Sequence, residues 1–187
     1  MSIYIGGWVE IHSGNRFDGW QAVIKIDWIL RVNYDMFGCI FGVMNHTGLS
    51  APPLRGLPDN LSLEGLLYDE NHNDSGGTLY QSWLTWAEIK ALDLDEVGVD
   101  RRAHQYRRGE NGELIYMNSK GMTAGTPEVV EVGMTWDGKD GVIHKIQSIS
   151  RREIFEMSAD WQILFEMLRQ LEKKYSDDKI RLVVWFW

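Results

Sequence analysis

The stretch that most constrains this sequence is Ile180-Arg181-Leu182-Val183-Val184-Trp185-Phe186-Trp187, an almost continuous apolar run. Such a run, without polar alternation, predicts a strand covered on both faces and therefore central in a sheet. A hairpin is predicted at the other end. Ile3, Ile5, Val9 and Ile11 share one face at period two, Trp20 to Ile26 reads as a second strand, and His12-Ser13-Gly14-Asn15 with Asp18-Gly19 supplies the turn.

Helix signals lie between these ends. In Leu84-Thr85-Trp86-Ala87-Glu88-Ile89, Thr85 and Glu88 form a capping box, each side chain satisfying the other's free backbone N–H, with Leu84 and Ile89 at the hydrophobic-staple positions. Asn33 is a candidate N-cap and Asp35 sits in a first turn. Met36, Phe37, Ile40, Phe41 and Met44 follow at helical spacing, predicting a buried helix over 34–44 with Gly38 and Gly42 allowing close approach. Ser158 is expected to cap a helix whose apolar stripe is Trp161, Leu164, Phe165, Leu168 and Leu171. Residues 45–60 hold Pro52, Pro53 and Pro58 and read as irregular, and Asp69 to Gly77 reads as a polar loop. Glu113 to Asn118, Glu128 to Trp136 and Gly141 to Ile149 read as short strands. With no repeat, low-complexity tract or linker, residues 1–187 are expected to form one α+β domain, a mostly antiparallel sheet with two or three packed helices.

Composition narrows the function classes. A single cysteine, Cys39, cannot form an intrachain disulfide or a multi-cysteine zinc site. The opening MSIYIGGWVEIH lacks a basic start followed by an apolar run, and no stretch approaches the ~18 apolar residues of a membrane span, so a cytoplasmic protein without membrane contact is expected. The net charge is -8, with five Lys or Arg against fourteen Asp or Glu in residues 1–100 and fourteen against thirteen in the rest. A negative surface repels phosphate backbones, which argues against DNA or RNA as a partner and leaves room for a small anion in a local basic pocket.

Three clusters give the chain a resemblance. Arg31, Asn33-Tyr34-Asp35-Met36-Phe37, Gly42-Val43 and Asn45 form the first, Leu54-Arg55-Gly56-Leu57-Pro58-Asp59 the second, and Ser82-Trp83-Leu84-Thr85 preceded by His72 the third. Together with Arg181 to Phe186 they are similar to segments of an uncharacterised family of small proteins of tailed phages and bacterial accessory regions. Residues 95–155 carry none of the resemblance. It implies a setting, the host cytoplasm, in which a phage counter-defence role is worth considering.

The candidate ligand-binding residues are Arg31, Asn33, Tyr34, Asp35, Arg55, Trp83, Trp86, Arg101 and Arg102. The first four sit at a strand-to-helix junction, where free N–H groups receive anions; the plainer reading is that they cap and pack. Arg55 lies in a segment stiffened by prolines, suited to gripping a phosphate or carboxylate, or to a structural salt bridge. Trp83 and Trp86 flank the capped helix, where an indole can stack on a base or fill the core. Nine tryptophans are present, of which Trp161, Trp185 and Trp8 or Trp20 fit core stripes. Arg101, Arg102, Arg107 and Arg108 form the dense basic patch, which a hairpin could set pair against pair. No metal-ligand spacing, P-loop, dinucleotide-fold or nucleophile-elbow motif occurs, so no catalytic residue, metal or cofactor is assigned. The expectation is a non-enzymatic, homo-oligomeric protein sequestering a nucleotide-type ligand. The alternatives are a hydrolase using His72 with Asp69, Asp74 or Asp35, and a protein-binding adaptor.

Overall fold

The structure is a computed structural model that describes residues 2–15, 19–73, 77–121 and 129–187. In chain order its elements are β1 (Ile5–His12), β2 (Trp20–Lys25), α1 (Tyr34–Phe41), α2 (Leu63–Asn73), β3 (Tyr80–Thr85), α3 (Trp86–Lys90), β4 (Val97–Arg108), β5 (Leu114–Gly121), β6 (Thr135–Asp137), β7 (Val142–Ser150), α4 (Arg151–Met157), α5 (Ala159–Glu172) and β8 (Ile180–Phe186). The strands form two four-stranded sheets, β2-β1-β8-β3 and β5-β4-β7-β6, antiparallel throughout. The α+β class is thus observed, with five described α-helices where the sequence indicated two or three.

The apolar terminal run is β8, an inner strand between β1 and β3, and all of its residues are buried. Period-two alternation then gives the first sheet two different faces. Ile5, Val9, Ile11, Leu84, Leu182, Val184 and Phe186 belong to the main core with Phe37 and Ile40 of α1 and Trp161, Leu164 and Leu168 of α5. The Phe186 ring meets Phe37 and Phe41 edge-on, with centroids 5.3 and 5.6 Å apart. The other face carries Val183, Trp185, Trp8, Trp83 and Trp187 against Tyr68 of α2.

Asn33 caps α1 as expected, its side chain accepting from Met36 N. The helix stops at Phe41 rather than residue 44, because Gly42 takes φ 72 and its N–H bonds back to the carbonyls of Gly38 and Phe37. Of Gly38 and Gly42, close approach belongs to Gly38, where an added Cβ would stand 2.9 Å from Asn45 Cα. The capping box at Thr85 and Glu88 forms, on a helix of five residues. A second box, Ser150 with Glu153, starts α4, which the sequence reading passed over although Ser-x-x-Glu was there to be read. Ser158 precedes α5, but its hydroxyl donates to Ile154 O and accepts from Asn33 Nδ2 instead of capping.

The region read as a loop from Asp69 is also corrected, since Asp69 and His72 lie on α2. Ser62 starts that helix, its hydroxyl accepting from Gly65 N. The segments read as strands map onto β5, β6 and β7, β6 keeping three residues, with Glu128 outside the described residues.

Cys39 is buried in α1, and burial pushes its thiol up to about 12. Because the thiolate is the reactive form, Cys39 is expected to ignore an aromatic disulfide reagent at pH 8 in the native protein and to react fully in denaturant. Rapid labelling of the native chain would contradict this burial.

Candidate functional site

Five of the nine tryptophans, Trp8, Trp20, Trp83, Trp185 and Trp187, gather on the α2 side of the first sheet. The registers explain it. Trp8, Val183 and Trp83 stand side by side across three strands, as do Glu10, Arg181 and Thr85 in the next row, and Trp20 pairs with His12 on the same face. An arginine and a glutamate are therefore carried into an aromatic layer by the strand pairing itself.

Arg181 is the anchor of this face, 2% exposed on its side chain. Its Nε and Nη2 donate to Glu10 Oε2 at 2.8 and 2.6 Å, and Nη1 and Nη2 donate to Asn60 Oδ1 and O at 2.8 and 2.9 Å. Glu10 Oε1 accepts from Ser62 N and Oγ. One buried ion pair thereby fastens residues 60–62 and the start of α2 onto the sheet. Burial holds the Arg181 guanidinium below its usual range, against the pull of Glu10.

Around Arg181 the side chains alternate in charge and ring. Its guanidinium carbon lies 3.9 Å from the Trp20 ring centroid and 5.8 Å from that of Trp83, and Arg55 lies 4.9 Å from the same Trp83 ring. Trp20, Arg181, Trp83 and Arg55 form a ladder of cation–π contacts, each worth about 0.5–2 kcal/mol according to its exposure. The ladder lines a cleft of about 550 Å³, with Leu57, Pro58, Asp59, Asn60, Thr85 and Asp178 completing the wall. That volume suits a small organic ligand.

Arg55 is the adjustable member. Its backbone N–H bonds to Ser82 Oγ, while its Nη2 donates to Glu88 Oε1 at 2.5 Å with 28% of the side chain exposed. Glu88 has a second attachment, since Oε2 accepts from Thr85 N and Oγ1 in the capping box. Arg55 can turn toward a ligand without leaving Glu88 unpartnered. Burial alone would raise the Glu88 carboxyl, but the hydrogen bonds from Arg55 and Thr85 hold it below the usual carboxylate range. Below the ordinary glutamate range the unfolded chain takes up a proton that folded Glu88 resists, so its contribution is full above that range and falls as pH drops through the folded value. The melting-temperature gap between wild type and Glu88→Gln is expected to be widest near neutrality and to close toward pH 3. A gap independent of pH would contradict this role.

The other candidates are distributed elsewhere. Trp86 is 4% exposed, packs on Phe165 and donates its indole N–H to Glu172, outside the cleft. Tyr34 accepts from Ile3 N and packs on Phe37 and His46. Asn33 is committed to its cap and to Ser158, and Arg31 is exposed beside Asp160. Arg101 and Arg102 share β4 with Arg107 and Arg108, so the pairs follow one another along one strand and do not face across a hairpin. Arg102 bonds to Asp35 and Asp100, and Lys120 of β5 donates to the same two carboxylates at 2.9 Å. Burial would raise the fully buried Asp100, yet Arg102 and Lys120 hold it low. This network ties α1 to the second sheet and leaves Asp35 and Arg102 occupied.

The proposed acid–base group does not assemble among the described residues. His72 Nδ1 bonds to Tyr68 O and its ring stacks on Tyr68, while Asp69 Oδ1 accepts from Gln81 and from the Trp185 indole. Asp35 belongs to the Arg102 network, and Asp74 lies outside the described residues. Among the described residues no group of three or more His, Cys, Asp or Glu could hold a metal, and no helix is long and apolar enough to cross a membrane.

Fold and site thus define an α+β domain with a tryptophan- and arginine-lined cleft on one sheet face. Comparison with protein-family models, curated proteins and solved structures finds no match. Of the ligand-binding candidates named from the sequence, Arg55 and Trp83 line this cleft, and Trp20 and Arg181, which line it as well, were not among them. An arginine inside an otherwise apolar strand was the available signal for the latter.

Proposed function

We propose that this protein binds and sequesters a small nucleotide-type ligand in the cleft between Trp20 and Trp83, without turnover. The convergence of Arg55, Trp83, Trp20 and Arg181 on one cleft of ligand size carries the reading. An indole face accepts a base of any sequence, and Arg55, retained on Glu88 until needed, offers its fork to one anionic group. The resemblance to phage accessory proteins supports an anti-defence role in the host cytoplasm, the ligand being a nucleotide signal. The test is incubation with a panel of nucleosides and cyclic, linear and NAD-derived nucleotides, followed by heat release. Recovery of one unaltered compound is expected, and altered or unretained compounds would overturn sequestration.

Self-association belongs to the same proposal. In β5, an edge strand of the second sheet, Leu114, Ile115, Tyr116 and Met117 are each about 40% exposed, an edge that a second copy can extend. Light scattering is expected to give a dimer or larger, reduced to the monomer by Ile115→Lys; a monomeric wild type at 100 µM would contradict it.

A second reading, a protein-binding adaptor, has its own support in α2, where Leu63, Leu66 and Leu67 are 66%, 51% and 50% exposed at helical spacing. It predicts saturable, nucleotide-insensitive binding to a partner protein that Leu66→Glu abolishes.

A further inference from the structure

Resting on the reading of the cleft as a nucleotide-type site, we infer that it selects ligands of low charge: a nucleoside, or a nucleotide with a single phosphate, over polyphosphates and cyclic dinucleotides. The charge arrangement carries this. Both guanidinium groups that line the cleft are already matched by carboxylates, Arg181 by Glu10 at 2.6 Å and Arg55 by Glu88 at 2.5 Å. Arg181 also has both of its Asn60 bonds and almost no exposed surface, so it cannot turn toward a ligand. Among the described residues no lysine lines the cleft, whereas Asp59 and Asp178 do, both exposed. Lys179 stands 3.8 Å from Asp178 as a surface pair, which neutralises little. The arginines and their glutamates cancel, and the remaining carboxylates make the wall negative.

Among the described residues one cation, Arg55, is therefore available to one anionic group. A second phosphate finds no partner among the described residues and adds repulsion from Asp59 and Asp178. The same carboxylates are acceptors only, so they suit a ligand rich in donors: a ribose diol or the exocyclic amine of adenine, guanine or cytosine. A nucleoside with free hydroxyls uses both sides of the cleft, its base against Trp83 or Trp20 and its hydroxyls toward a carboxylate.

The experiment is a titration of the full chain, at fixed ionic strength, with adenosine, its mono-, di- and triphosphates, the guanosine series, and a cyclic dinucleotide, read by calorimetry. Affinity is expected to be highest for the nucleoside or monophosphate and to fall about three- to tenfold with each further phosphate. The combined variant Asp59→Asn, Asp178→Asn, both exposed and so tolerated by the fold, is expected to flatten that gradient. Affinity rising with phosphate number, or a gradient unchanged in the variant, would overturn the selection while leaving the cleft as the ligand site. Failure of every compound to bind at millimolar concentration would instead remove the ligand reading, and this inference with it.

Discussion

Arg181→Met is expected to destabilise the protein by about 3–5 kcal/mol, the characteristic cost of removing one partner from a buried ion pair. Methionine fills much of the same volume, so the loss comes from charge and hydrogen bonding more than from a cavity. Glu10, fully buried, would keep a carboxylate with Ser62 as its one donor among the described residues, and the Asn60 carbonyl would lose its bond from Arg181. Because these bonds hold residues 60–62 to the sheet, the damage should reach α2 and the stack on Trp20. Urea unfolding monitored by circular dichroism measures the effect. Adding Glu10→Gln to Arg181→Met should recover part of the loss, since a neutral amide costs less to leave unpaired than a carboxylate. Equal midpoints for wild type and Arg181→Met would mean that the pair does not organise this face.

The second large effect concerns binding. Trp83→Ala removes the ring on which both arginines lean and is expected to weaken ligand binding about 5- to 150-fold, the range set by base–aromatic stacking of ~1–3 kcal/mol. Trp83 is half-buried, so some stability is lost as well. Trp83→Phe separates the two effects: it keeps an aromatic face and should retain most of the affinity. Trp86→Phe is the control, because that side chain belongs to the main core and should leave affinity unchanged. Calorimetry on the three variants, each first shown to be folded, checks the set. Equal losses in Trp83→Ala and Trp86→Phe would contradict the separation of their roles.

What the residues reveal on their own depends on where the physical signal resides. The inner position of β8 was legible because seven consecutive buried positions leave no polar alternation, and α3 because a capping box is a local device. Helix α2 was not legible for the opposite reason. It sets Tyr68 and His72 toward the tryptophan layer and turns Leu63, Leu66 and Leu67 outward, inverting the pattern that marks a helix facing a core. Arg181 stood out as a cation in an apolar strand, but its meeting with Trp20 was out of reach because it depends on strand register across 161 positions of sequence, and a one-residue slip would send Arg181 to the other face. Arg102 misled as a surface cation: its partners Asp35 and Asp100 come from α1 and its own strand, and only the packing of the second sheet against α1 joins them.

The abundance of tryptophan also has a definite distribution. Trp161 and Trp86 belong to the main core, Trp136 stacks on His144 in the second sheet, and Trp28 is almost fully exposed. The remaining five build the aromatic face, of which Trp20 and Trp83 border open space. That division makes the central claim directly measurable. In a nitrogen-edited NMR titration with adenosine or its monophosphate, the indole N–H signals of Trp20 and Trp83, assigned by single Trp→Phe variants, are expected to shift while those of Trp28 and Trp136 remain fixed. Shifts confined to Trp28, Trp86 or Trp136, or no shift at saturating ligand, would contradict the cleft as the binding site.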